Sequence, residues 1–179
     1  PDLLILDDSA NQFRNSDNLW DHLLNDNENL SNIILKTASP MAKGKLFTRL
    51  TRDFEDKLTI ITSLSEIREN EVMISKGISW EQTTLDLMYE LTTNNVLKRL
   101  LKCKYLIITF ESEGALYLEM KNNHIYKTRL ICDPAVQEGE WEETIGLKGQ
   151  IFGIMNSFIT GFTSEFIKKD FNFDIAITK

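Results

Sequence analysis

Side chains able to do chemistry recur where apolar runs end: Asp7, Asp8, Lys36, Ser63, Glu66, Thr109, Glu111, Glu113 and Asp133. In open α/β sheets ligands bind outside the carboxyl ends of the strands, so these positions are the ones to weigh. Lys36 can meet a phosphate as a compact point charge. Asp7 and Asp8 have the types needed to hold a metal or to form a phosphoacceptor strand. Each also has a plainer use. Ser63-Leu64-Ser65-Glu66 has the spacing of a capping box, in which Glu66 closes a helix start. Lys36 can pair with a nearby Asp, strand-end acids can cap or stay solvated, and Asp133 before Pro134 suits a turn. His22 and His124 lie far apart without Cys or acids at ligand spacing, so no zinc pattern is present. Nor is there a G-x-x-x-x-G-K-[ST], G-x-G-x-x-G or G-x-S-x-G motif.

The elements that must position these groups follow from periodicity. Leu3 to Leu6, Asn32 to Leu35 and Leu58 to Thr62 are short apolar runs read as strands. Tyr105 to Phe110 is a continuous apolar run suited to a strand buried on both faces of a parallel sheet. Glu111-Ser112-Glu113-Gly114 breaks it, and Ala115 to Met120 resumes as a second strand. His124 to Cys132 is a further strand, and Asp174 to Thr178 a candidate last one. Asp17 is expected to cap a helix through Leu24 that turns Leu19, Trp20, Leu23 and Leu24 to one side. Ser39-Pro40 reads as a helix start, with Met41, Leu46, Phe47 and Leu50 buried. Ser79-Trp80-Glu81-Gln82 reads as a second capping box, opening a helix to about Leu101. Leu147, Ile151, Ile154, Phe158, Phe162 and Phe166 recur at steps of three and four, an apolar helical face. The alternation predicts an α/β fold: a three-layer α/β/α domain with a mostly parallel central sheet and an antiparallel hairpin.

The 179 residues suffice for a single domain, 1–179, with one core. The apolar share is 42% and the charged share 26%, ordinary globular values. No stretch reaches the roughly 18 apolar residues of a membrane span. The net charge of −7 argues against nucleic acid bound through its phosphates. Cys103 and Cys132 both lie in apolar runs and are expected to be reduced core thiols in a cytoplasmic protein. The N-terminus reads Pro-Asp, without a basic leader or starting Met, and is expected to lie within a larger chain.

The order of motifs resembles the C-terminal part of a ribokinase-like (PfkB-type) carbohydrate kinase. That family carries N-x-x-E after a strand, a T-x-G-x-x-G hairpin and a G-A-G-D-x-F-x-x-G-F helix start. Ser63-Leu64-Ser65-Glu66 occupies the first place and Thr109-Phe110-Glu111-Ser112-Glu113-Gly114-Ala115 the second. Gly153 to Phe162 lies over the third, with Gly153, Phe158, Gly161 and Phe162 matching. The likeness covers nearly the whole chain, but only the later part of the family. It implies a nucleotide or anion site drawing on Lys36, Ser63, Glu66, Thr109, Gly114 and Gly153. ATP with Mg²⁺ is the implied ligand, and Glu66 would serve the metal.

The departures bear on catalysis. Asn156 stands where the family has the Asp that takes the hydroxyl proton, and an amide cannot accept it as a carboxylate does; losing such a base lowers a rate by about 10²–10⁴-fold. Met155 replaces the second glycine and crowds the phosphate approach. Glu111 replaces the hairpin glycine; a like charge about 4 Å from a phosphate costs about 4 kcal/mol at an effective dielectric of 20. These changes point to a non-catalytic relative.

The run Ile74 to Thr84, with Leu4-Ile5-Leu6-Asp7-Asp8, also resembles the kinase-like segment of bacterial multidomain proteins carrying ryanodine-receptor-type (RyR) repeats. That likeness implies other domains of a larger protein as partners. Three readings compete: a non-catalytic module binding a nucleotide or small anion, or serving assembly or regulation; an active sugar or nucleoside kinase completed by an upstream portion; and a receiver-like phosphoacceptor domain suggested by Leu4 to Asp8.

Overall fold

The computed structural model describes residues 2–8, 17–25, 29–38, 42–70, 74, 79–110, 114–132 and 154–173. The chain divides into two compact units, Pro1–Phe110 with Gly114–Ile131, and Glu111–Glu113 with Cys132–Lys179.

The first unit is built on a six-stranded sheet: β1 (Leu3–Asp7), β2 (Asn32–Lys36), β3 (Leu58–Ser63), β4 (Tyr105–Thr109), β5 (Gly114–Lys121) and β6 (His124–Cys132). The strands lie side by side in chain order. β1 to β4 are parallel, and β5 runs antiparallel to β4 with Thr109 opposite Ala115. β5 opens at Gly114, whose φ of 143° suits glycine alone, and whose carbonyl accepts the Phe110 N–H at 2.8 Å. β5 turns into β6 through Asn122 and Asn123, both at positive φ (53° and 61°). That is the two-residue turn whose twist matches a hairpin, and Asn is among the few side chains that tolerate it.

Parallel strands joined in chain order by right-handed crossovers must carry their connecting helices on one face. The core agrees. Leu6, Ile33, Leu35, Ile60, Leu106 and Ile108 share a face of the sheet and one apolar cluster with the helices that follow each strand. From α1 (Asp17–Asn25) come Trp20 and Leu24. From α2 (Gly44–Asp53) come Leu46, Phe47 and Leu50, from α3 (Leu64–Arg68) Leu64 and Ile67, and from α4 (Trp80–Thr93) Leu87 and Leu91. The other face carries Ile34, Ile61 and Ile107, all fully buried, and Tyr117.

Several helix boundaries differ from expectation for local reasons. Leu23 is 36% exposed rather than facing in. Ser39, Pro40 and Met41 lie outside the described residues, and α2 begins only at Gly44, because Ala42 sits at φ 54°, a conformation no right-handed helix passes through. The helix expected to reach Leu101 stops at Thr93. Asn94 turns extended there, and its Oδ1 accepts the Val96 and Leu97 N–H groups at 2.9 and 3.3 Å. That side chain starts a separate 3₁₀ turn, Leu97–Leu101, which still buries Leu97, Leu100 and Leu101. The second capping box is half made. Ser79 Oγ accepts the Gln82 N–H at 3.4 Å, but the Gln82 amide donates forward to Asp86 at 2.7 Å.

The second unit contains α5 (Ile154–Lys168). Its phenylalanines stack at one-turn steps, Phe158 on Phe162 and Phe162 on Phe166, with ring centroids 6.3 and 5.4 Å apart. Phe173 meets Phe162 edge-on at 5.9 Å and Phe171 meets Phe166 at 5.4 Å. The helix ends where Asp170 and Phe171 adopt positive φ and the Phe171 N–H returns to the Phe166 carbonyl at 2.8 Å. Leu147, Ile151 and Asp174 to Thr178 lie outside the described residues.

Candidate functional site

The carboxyl ends of the central strands gather several of the expected groups. Asp7 and Lys36 are register partners on β1 and β2, and Ser63 and Thr109 are register partners on β3 and β4. Lys36 Nζ donates to Asp7 Oδ2 at 3.1 Å. The lysine side chain is only 13% exposed, the aspartate 46%. The backbone is tied at the same level, with Asp8 N–H donating to the Lys36 carbonyl and Thr37 N–H to the Ile61 carbonyl, both at 2.9 Å. Asp8 is itself buried, at 6% exposure.

Glu66 is held by a complete capping box. Ser63 Oγ accepts the Glu66 N–H at 3.1 Å, and Glu66 Oε2 accepts the Ser63 N–H at 3.2 Å. Thr62 Oγ1 donates to the same carboxylate oxygen at 3.0 Å, and Asn70 Nδ2 donates to the Glu66 carbonyl at 2.7 Å. Burial raises the Glu66 pKa above the ordinary carboxylate value. The Ser63 N–H, the Thr62 hydroxyl and the Lys36 charge work against that rise. The Lys36 ammonium therefore acts on two acids, Asp7 directly and Glu66 through its field. Thr109 Oγ1 donates to the Thr62 carbonyl at 3.4 Å, linking β4 to the same strand end.

The first unit thus brings together Lys36, Ser63, Glu66 and Thr109, with Gly114 opening β5. Asn156 is exposed on α5, in the other unit. Gly153, Glu111, Glu113 and Asp133 lie outside the described residues. Thr62 was not among the expected groups. Its signal is its position immediately before the capping-box serine, at the end of the same strand.

Chemically, the arrangement offers one ammonium acting on two acids, Asp7 and Glu66, with hydroxyls from Thr62, Ser63 and Thr109 nearby. Among the described residues no group of three or more His, Cys, Asp or Glu is placed to hold a metal ion. Glu66 Oε2 accepts two hydrogen bonds. Cys103 is a free, fully buried thiol donating to the Leu100 carbonyl at 3.1 Å, and burial pushes its pKa up, away from a reactive thiolate. Among the described residues no helix is long and apolar enough to cross a membrane.

No family model, curated protein or solved structure matches this chain at a significant level.

Proposed function

We propose that the chain is a non-catalytic ribokinase-like domain whose strand ends bind a nucleotide or small anionic ligand, within a larger cytoplasmic protein. The observation that carries this reading is the placement of Lys36. Its side chain is 13% exposed, stands at the carboxyl ends of central parallel strands, and pairs with an Asp7 that is half exposed. Such a pair is worth about 0.2–1 kcal/mol, so a phosphate oxygen can take the place of Asp7 at small cost while Asp7 returns to water. Ser63 and Thr109 stand on the two strands beyond. The absence of catalysis is inferred from the sequence: Asn156, Met155 and Glu111 stand where the resembled family has its base and glycines.

The three-layer arrangement belongs to the same reading. The sheet face away from α1 to α4 carries buried Ile34, Ile61 and Ile107, as a strand set covered on both sides requires. The receiver-like alternative lacks this kind of support, because the described strands run β1-β2-β3-β4 rather than in the 2-1-3-4-5 order of flavodoxin-like sheets. Calorimetric titration with ATP, ADP and sugar phosphates, with and without Mg²⁺, tests the proposal. Heat that is lost in Lys36→Ala supports it; silence across the panel leaves only an assembly role.

A further inference from the structure

The end of the sheet opposite Lys36 holds an open cleft of about 330 Å³, built wholly within the first unit. Three neighbouring strands supply its walls. The 3₁₀ turn Glu55–Lys57, which leads into β3, brings the carboxylates of Glu55 and Asp56. Lys104 leads into β4. Its N–H donates to the Leu58 carbonyl on β3, and its carbonyl accepts the Met120 N–H from β5, both at 2.9 Å. Lys121, Asn122 and Asn123 line the far side, where β5 turns into β6. Cys103 and Met120, both buried, form the floor.

Charge is sorted across this cleft. The acids stand on the β3 side and the lysines on the β4 and β5 side, and adjacent strands are about 4.8 Å apart. The opposite charges nevertheless do not close on one another: among the described residues neither acid forms an ion pair with either lysine. Lys104 and Lys121 lie instead over the Tyr105 and Tyr126 rings, 5.2 and 4.8 Å from the centroids. Burial, and after it the Glu55 charge, raises the Cys103 pKa, so the Glu55 carboxylate is felt at the floor.

A simple anion entering here would meet two acids, and a simple cation two lysines. A molecule carrying both charges side by side is complementary to both walls. We propose that this cleft binds a free α-amino acid with an apolar side chain. Its ammonium points to Glu55 and Asp56, its carboxylate to Lys104 and Lys121, and its side chain rests on Met120 and Cys103. The volume lies at the small end of the roughly 300–1,000 Å³ of ligand sites, which suits one amino acid rather than a nucleotide or a peptide. Water reaches the open walls, so binding is weak, with Kd roughly millimolar.

The test is NMR titration of the 179-residue chain with leucine and with methionine, beside two leucine analogues that each lack one charge, 3-methylbutylamine and 4-methylpentanoate. The expected result is saturable movement of the Lys104, Asn122 and Asn123 amide signals by at least one of the two amino acids, with each analogue about tenfold or more weaker. Asp56→Asn and Lys104→Gln change exposed side chains, so both are expected to fold and to weaken binding about threefold or more. No movement of these signals up to about 10 mM amino acid overturns the proposal. So does binding that moves only amides elsewhere, or binding that the singly charged analogues match and neither variant changes.

Discussion

Lys36 Nζ and Asp7 Oδ2 lie 3.1 Å apart across a β1–β2 register pair, yet the two side chains are unequally buried, at 13% and 46% exposure. The lysine also acts on the half-buried Glu66, so its removal leaves two acids short of a counter-charge. Asp7→Asn is expected to lower stability by about 1 kcal/mol, the upper end for a pair with one exposed partner. Lys36→Met is expected to cost more, because Glu66 then keeps its desolvation without relief. Urea unfolding of the two single variants and the double variant separates the terms; equal losses in the single variants would contradict the inequality.

The two serine caps differ in how completely they are made. Ser63 Oγ accepts at 3.1 Å inside a closed box, whereas Ser79 Oγ accepts at 3.4 Å with its partner side chain turned elsewhere. Ser63→Ala is expected to cost about 1–2 kcal/mol and Ser79→Ala about 0.5 kcal/mol. Thermal unfolding of both variants decides the ranking.

Glu66 gives the molecule a pH signature. Its folded pKa is raised, so the folded state holds this proton more tightly than the unfolded state does. Its contribution to stability is fully present below the ordinary glutamate value of about 4.3 and is lost as pH rises through the raised folded value. Glu66→Gln removes the titration. The stability of the parent minus that of Glu66→Gln is therefore expected to fall as pH rises from about 4, then level off. Denaturant midpoints measured across that range check the sign.

Gly161 occupies the middle of α5, exposed, and a Cβ built there meets nothing within 4 Å. Gly161→Ala is expected to stabilise the chain by about 0.5–1 kcal/mol through helix propensity. A loss on calorimetric melting would show that the glycine answers a packing need.

β1, β2 and β4 were legible because each is built on an apolar run, and the capping box after β3 because its two partners lie three residues apart. The helix ends were less so. Asn94 diverts the chain with its own side-chain carbonyl, and Ala42 adopts a left-handed φ, neither of which periodicity records. At the site, Lys36, Ser63, Glu66 and Thr109 could be named from sequence as strand-end polar groups. Their mutual arrangement could not, because it depends on which strands lie side by side. The Thr62 bond to Glu66 was hidden for a related reason: a threonine at a strand end reads first as a β-branched strand residue.

The most direct measurement is calorimetric titration of the parent chain and Lys36→Ala with ATP, ADP and sugar phosphates, each with and without Mg²⁺. Saturable binding of at least one of these ligands to the parent, weakened about tenfold or more in Lys36→Ala, is the predicted result. Absence of heat across the panel, or binding that Lys36→Ala leaves unchanged, would contradict a strand-end anion site.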